Sequence, residues 1–287
     1  MTDYTTLIQV DQLATLMREQ PGHLLVCDCS YDLADTDAGV RAFDAGHLPR
    51  AVYVHLGRQL SGPVDDRNGR HPLPTCEAFA RQMAELGAGD ATQIVAYDTG
   101  DSLYAARLWW LARWAGHSAV AVLDGGLRAW KAAGQPVESG AAPARRPGDF
   151  SLRPPLAHSV DFAAVRDNLA SGARRVIDAR SPDRFRGENE TLDPVGGHIP
   201  GAANRFYRDN LGADGHFKPA AELRAGFAEV MAGRPAADVI SQCGSGVTAC
   251  HNLLAMEVAG LGGAALYGGS WSEWCVQPGA PVASGAG

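Results

Sequence analysis

The sequence predicts an α/β fold built twice in tandem, each copy a mainly parallel sheet flanked by helices. Three observations predict it. The chain repeats itself in order; short apolar runs alternate with helical patterns within each copy; and the composition leaves material for two cores. Of 287 residues, 46% are hydrophobic and 20% charged, which is globular composition over about two average domain lengths.

The repeat comes first, because it decides how every motif is read. LLVCDCS around Asp28 returns as RRVIDAR around Asp178, and GHLPRA from Gly46 as GHIPGA from Gly197. QIVAYDTGDS around Asp98 returns as DVISQCGSGV around Cys243, and LDGGLRAW with Gly125 and Gly126 as LYGGSWSEW with Gly268 and Gly269. Four blocks in one order, offset by 150, 151, 145 and 143 residues, mark a duplicated domain. Residues 136–155 lie in a stretch rich in Pro, Gly and small residues and read as a linker. Domain one is then 1–135 and domain two 156–287.

In domain one, LLVCDCS, AVYVHL, QIVAYD and AVAVLDG are expected strands; in domain two, RRVIDAR, DVISQ and AALYGG are the clearest. CEAFARQMAELG and LYAARLWWLARWAG repeat their apolar residues every 3.6 positions, the first stopped by Gly87 and the second by Gly116. Trp109, Trp110 and Trp114 fall at helical spacing and are expected to pack. Strand–helix alternation implies a parallel sheet. Ligands of such sheets bind beyond the carboxyl ends of the strands, here after IVAYD and after VISQ.

Charge and motif content exclude several classes. With 25 Lys plus Arg against 32 Asp plus Glu the net charge is −7, which repels nucleic acid and anionic membrane as main partners. No apolar run approaches the roughly 20 residues needed to span a bilayer. The opening MTDYTTLIQVDQL lacks a basic stretch followed by an apolar one, so a soluble, cytoplasmic protein is expected. The six cysteines form neither a disulfide framework nor a zinc spacing. No Walker or dinucleotide motif is present, and RNGRH at 67–71 reads as an exposed loop. No metal and no cofactor are expected.

Chemistry is expected at Cys243-Gly244-Ser245-Gly246-Val247-Thr248, between the strand DVISQ and the apolar helix ACHNLLAMEVAG. Loop N–H groups and the helix N-terminus favour negative charge on a sulfur placed there, and Gly244 and Gly246 let those N–H groups face inward. A buried Cys in an ordinary turn would look the same. The repeat separates the two readings: domain one has Asp98 at this position and a different loop, TGDSLYAAR. One copy keeps a reactive loop and the other is a catalytically silent scaffold.

The two GH[IL]P motifs, the two blocks running from a glycine pair to a Trp, and CGSGVT at 243–248 resemble those of the tandem-domain rhodanese-like sulfurtransferases over almost the whole chain. The loop is similar to that of the 3-mercaptopyruvate branch; the thiosulfate branch more often has basic residues directly after the Cys. The resemblance implies a persulfide on Cys243, formed from 3-mercaptopyruvate and passed to cyanide or to a thiol acceptor such as thioredoxin. Loop N–H groups from Gly244 through Gly246 and Val247 to Thr248 would hold the anionic sulfur. Ser245 would join His47 of GHLP and Asp37 in a proton relay. Arg184 would bind the donor carboxylate. The family's second Arg, shortly downstream, is missing from ENETLDPVGGH, which leaves Arg186 or a residue of domain one to compensate.

Three other readings remain. Thiosulfate could be the donor in the same persulfide mechanism, although CGSGVT offers its two charges no side-chain cation. The chain could be a persulfide carrier or binding scaffold without turnover. The related phosphatases and arsenate reductases need C-x5-R, and Ala249 stands where that Arg would be.

Overall fold

Two five-stranded, all-parallel sheets with the same strand order carry the chain. The computed structural model describes residues 3–142 and 144–286. The first sheet's elements run β1 (Leu7–Ile8), α1 (Val10–Glu19), β2 (Leu24–Asp28), α2 (Ala38–Ala45), β3 (Val52–Tyr53), α3 (Leu56–Gln59), α4 (Cys76–Glu85), β4 (Gln93–Tyr97), α5 (Ala105–Trp114), β5 (Val120–Leu123) and α6 (Gly126–Ala132). The second's run β6 (His158–Val160), α7 (Phe162–Ser171), β7 (Arg175–Asp178), α8 (Pro182–Arg186), β8 (Ala203–Asn204), α9 (Ala220–Met231), β9 (Val239–Gln242), α10 (Thr248–Val258), β10 (Ala265–Tyr267) and α11 (Ser270–Trp274).

The orders are β1-β5-β4-β2-β3 and β6-β10-β9-β7-β8. β2, β4, β5 and β9 are buried nearly end to end, as expected for strands covered on both faces. AVYVHL pairs only through Val52 and Tyr53, because His55 then turns the chain and caps α3, its Nδ1 accepting from the Gly57 N–H at 3.0 Å. Thr75 Oγ caps α4 by accepting from Ala78 N–H, and α4 and α5 end just before Gly87 and Gly116, both in the left-handed region. Trp109, Trp110 and Trp130 are buried in the first unit, and Trp271 and Trp274 in the second. In the second sheet β7 leads one way, to β8, and β9 the other, to β10. Its topological switch point, where ligands of such sheets bind, lies between β7 and β9.

The structure divides the chain differently from the sequence repeat. One unit comprises Met1–Gly62, Pro74–Leu156 and Ala213–Phe217; the other comprises Pro63–Leu73, Ala157–Gly212 and Lys218–Gly287. The stretch read as a linker is part of the first unit. Gly148 N–H donates to Ala84 O at 2.8 Å, Arg145 donates twice to Leu24 O, and Phe150 is buried edge-on to Phe79. Pro and Gly rule out regular structure there, but they leave the backbone free to bond.

Candidate active site

Cys243 follows β9 directly and is buried. Its N–H donates to Ser270 Oγ at 3.1 Å, and Ser270 in turn donates to Tyr267 O at 2.8 Å. Its carbonyl accepts from Trp271 N–H, and that of Gly244 from Ser272 N–H, each at 2.9 Å. The base of the loop is therefore tied to α11. Gly246 has φ 76°, and a side chain there would collide with the Gly268 carbonyl, so the turn into α10 requires glycine. The N–H groups of Gly244 to Thr248 lie in a short loop running straight into an 11-residue helix, where the dipole favours an anion. Val247 and Ser245 are buried, and Thr248 is the first residue of α10.

Ser245 Oγ lies 2.8 Å from Nδ1 of His71, itself buried. His71 was not among the sequence candidates. It belongs to RNGRHP, which is no free loop: Gly69, at φ 84°, packs against the Gly269 carbonyl and Ser272, and Arg70 N–H donates to Ser272 Oγ at 3.1 Å. The repeat gives no signal for His71, because it has a counterpart in His216 of ADGHF, at the same offset of 145 that relates Asp98 to Cys243.

His47 and Asp37 lie in the first unit, and the contacts they make there are with other residues of that unit. The Nδ1–H of His47 donates to Phe43 O at 2.7 Å, its ring stacks on Phe43 at 3.8 Å, and its backbone bridges to Glu138. His198 repeats this in the second unit, with Phe185 O at 2.8 Å, a 3.8 Å stack and a bridge to Ala283. A residue doing the same work in both copies holds the motif's corner together. Asp37 sits exposed at the start of α2, 3.7 Å from Arg58, and does not bond to His47.

Arg184, on α8, lies beside the Cys243 loop: a Cβ on Gly244 would be 3.4 Å from its Nη1. Its Nε and Nη2 grip Glu190 at 2.8–3.1 Å, and Nη2 also reaches Asp193 at 3.2 Å. Arg184 holds Glu190 below the usual carboxylate range although burial works the other way. Arg186, more exposed, pairs with Glu188. A buried cation does stand near Cys243. Arg180 is clamped by Asp178 at 2.7–3.1 Å, donates to Gly197 O and stacks on Trp271. Burial disfavours its charge, but Asp178, Glu190 and Cys243 together raise its pKa above the ordinary value.

Among the described residues no group of three His, Cys, Asp or Glu could hold a metal ion, and no helix is long and apolar enough to cross a membrane.

Comparison with known proteins places the fold. The Rhodanese-like domain family matches at residues 9–133 and 161–277. The chain is 44% identical to the probable 3-mercaptopyruvate sulfurtransferase of Pseudomonas aeruginosa, covering 97% of this chain and 98% of that one. It is 38% identical to the human 3-mercaptopyruvate sulfurtransferase, over 83% of this chain and 80% of the relative. The crystal structure of SseA from Escherichia coli, a 3-mercaptopyruvate sulfotransferase, superposes with a TM-score of 0.81 at 31% identity, covering 94% of this chain and all of that one. With its two matched domains and its duplicated α/β sheets, the chain belongs to the rhodanese family.

Proposed function

We propose that this protein is a sulfurtransferase that takes sulfur from 3-mercaptopyruvate onto Cys243 and passes it to a thiol acceptor such as reduced thioredoxin, in a cytoplasmic setting that keeps its cysteines reduced. The Cys243 thiolate attacks the donor's sulfur. The carbon–sulfur bond breaks, its electron pair goes to the leaving pyruvate enolate, and a proton must reach the enolate carbon to give pyruvate. The outer sulfur stays as a Cys243 persulfide, its charge held by the N–H groups of Gly244 to Thr248 and by the field of Arg180. An acceptor thiolate then takes that sulfur and returns Cys243 as thiolate.

The observation that carries this reading is the 2.8 Å contact between Ser245 and His71, two residues from the nucleophile. A proton relay has a task when an enolate leaves; the sulfite released from thiosulfate needs no proton. Arg184 adds a cation for the donor's single carboxylate, while the loop offers no side-chain charge to thiosulfate's two.

The test is kcat/KM with 3-mercaptopyruvate and with thiosulfate, cyanide as acceptor, and Cys243→Ser as blank. A preference for 3-mercaptopyruvate of tenfold or more, about 1.4 kcal/mol at the transition state, is expected. A thiosulfate preference would overturn the choice of donor, and inactivity with both would leave a persulfide carrier.

A further inference from the structure

Arg184 alone is a poor clamp for a carboxylate. Two of its three nitrogens are committed to Glu190, and one of those also to Asp193. The stretch that follows it, Gly187 to Pro200, contains no Lys or Arg. A second cation nevertheless stands at the loop, from a segment far away in sequence. Arg70 forms an ion pair with Asp193 through Nη1. Its Nη2 lies 3.0 Å from where a Gly244 Cβ would be, the same point that Arg184 Nη1 approaches at 3.4 Å. Its Nε–H is buried and has no hydrogen-bond partner among the described residues. Such a donor is costly to leave unmatched.

We infer that Arg70, carried by the Pro63–Leu73 segment, is the second guanidinium that grips the carboxylate of a 2-oxo acid donor, opposite Arg184. The inference rests on the reading of the donor as 3-mercaptopyruvate. Asp193, only 3% exposed, touches both arginines and holds two like charges side by side. Each guanidinium then turns one amino group towards Gly244, where the absence of a side chain leaves room for the ligand. Arg70, Arg180 and Arg184 are balanced by Asp178, Glu190 and Asp193, a balance suited to one incoming carboxylate better than to a compact dianion. The next residue is His71, so a single segment delivers both the carboxylate's second anchor and the partner of Ser245.

The experiment uses the full-length protein with Arg70→Ala, Arg70→Lys, and Arg70→Asp combined with Asp193→Arg. Steady-state kinetics with both donors, pyruvate binding by calorimetry and melting temperature are the readouts. Loss of a charge-assisted contact predicts that Arg70→Ala raises KM for 3-mercaptopyruvate and Kd for pyruvate by about 30-fold. The kcat should change less than about threefold, because the contact persists from ground state to transition state. Arg70→Lys keeps the charge without the fork and should fall between. The paired exchange puts the cation on the Asp193 side of the same contact and should recover most of the lost affinity. Unchanged KM and pyruvate affinity in Arg70→Ala would overturn the inference. So would equal losses with both donors together with a lowered melting temperature, since that pattern marks a structural ion pair. If wild type fails to turn over 3-mercaptopyruvate, the donor assignment falls; pyruvate affinity then still decides Arg70, because it needs no turnover.

Discussion

Asp98 and Cys243 occupy the same place in two copies of one fold, after β4 and after β9, and each carbonyl accepts from the helix that follows the next strand, through Leu127 and Trp271 N–H. Their surroundings differ. The Asp98 carboxylate is buried and accepts four backbone N–H groups, from Gly100, Ser102, Tyr104 and Ala105, at 2.9–3.2 Å. The first loop thus fills its N–H cradle with a carboxyl of its own, whose pKa burial pushes up and those four N–H groups pull partly back down. The second has a thiol in that position, a loop shorter by two residues, and Arg180 where the first copy has Ser30, each following a buried Asp whose carboxylate takes its N–H. One copy has its cradle of N–H groups filled by its own carboxyl; the other leaves its loop N–H groups for the sulfur of Cys243.

The largest break in this comparison is Cys243→Ser. Transfer should fall to the blank with either donor, while the melting temperature stays within about 3 °C. Adding Asp98→Cys to that variant should not restore turnover, because the first loop lacks an Arg180 and a Ser–His pair. Measurable transfer by the double variant would show that any thiol at a strand end of this fold suffices.

The two histidines give the next effect. His71→Ala should lower kcat for 3-mercaptopyruvate by about 10²–10⁴, the usual size of a general acid–base contribution, and should affect thiosulfate turnover much less. His47→Leu should leave kcat within about threefold and destabilise by roughly 1–3 kcal/mol, as for a buried hydrogen bond left unmade. The reverse pattern would return the relay to His47.

Much of this could be read from the sequence, and the reason lies in the duplication. The strands, α4, α5 and their stop glycines, and the contrast between Asp98 and Cys243, all lie in blocks that appear twice or in clear local patterns. The Ser245–His71 contact could not be read that way. His47 and its motif repeat because they hold a corner of the fold; His71 repeats too, as His216, so recurrence does not tell the two histidines apart. His71, Arg70 and Arg180 are identified by contacts across more than 100 residues of sequence or by an ion pair that no local period encodes. The glycine-pair blocks show a subtler miss. The equivalent bonds of Leu127 and Trp271 pair Gly126 with Ser270, one residue off the pairing of like with like, and both have left-handed φ, 57° and 54°.

Asp98→Ala tests the scaffold side. It strands four buried N–H groups, and even with water taking up some of them the loss should be roughly 2–4 kcal/mol by chemical denaturation. Turnover should stay within about threefold. A loss of turnover much beyond that, at a temperature where the variant is fully folded, would mean that the first loop contributes to the reaction and is not merely filled.

The smallest effect comes from exchanging one residue between the copies, Ser270→Gly. A non-glycine residue in the left-handed region costs about 1–2 kcal/mol, so glycine removes strain. It also removes the hydroxyl that accepts the Cys243 N–H and donates to Tyr267 O, a loss of about 1 kcal/mol or somewhat more. The two nearly cancel, and stability should move by less than about 1 kcal/mol, whereas Ser270→Ala keeps the strain, loses the bond and should be less stable than Ser270→Gly by about 1 kcal/mol. Turnover separates the explanations. If the strained serine is there to fix the backbone at the nucleophile, both variants should lose a similar few-fold in kcat despite their different stabilities. If kcat follows stability instead, Ser270 merely belongs to the turn.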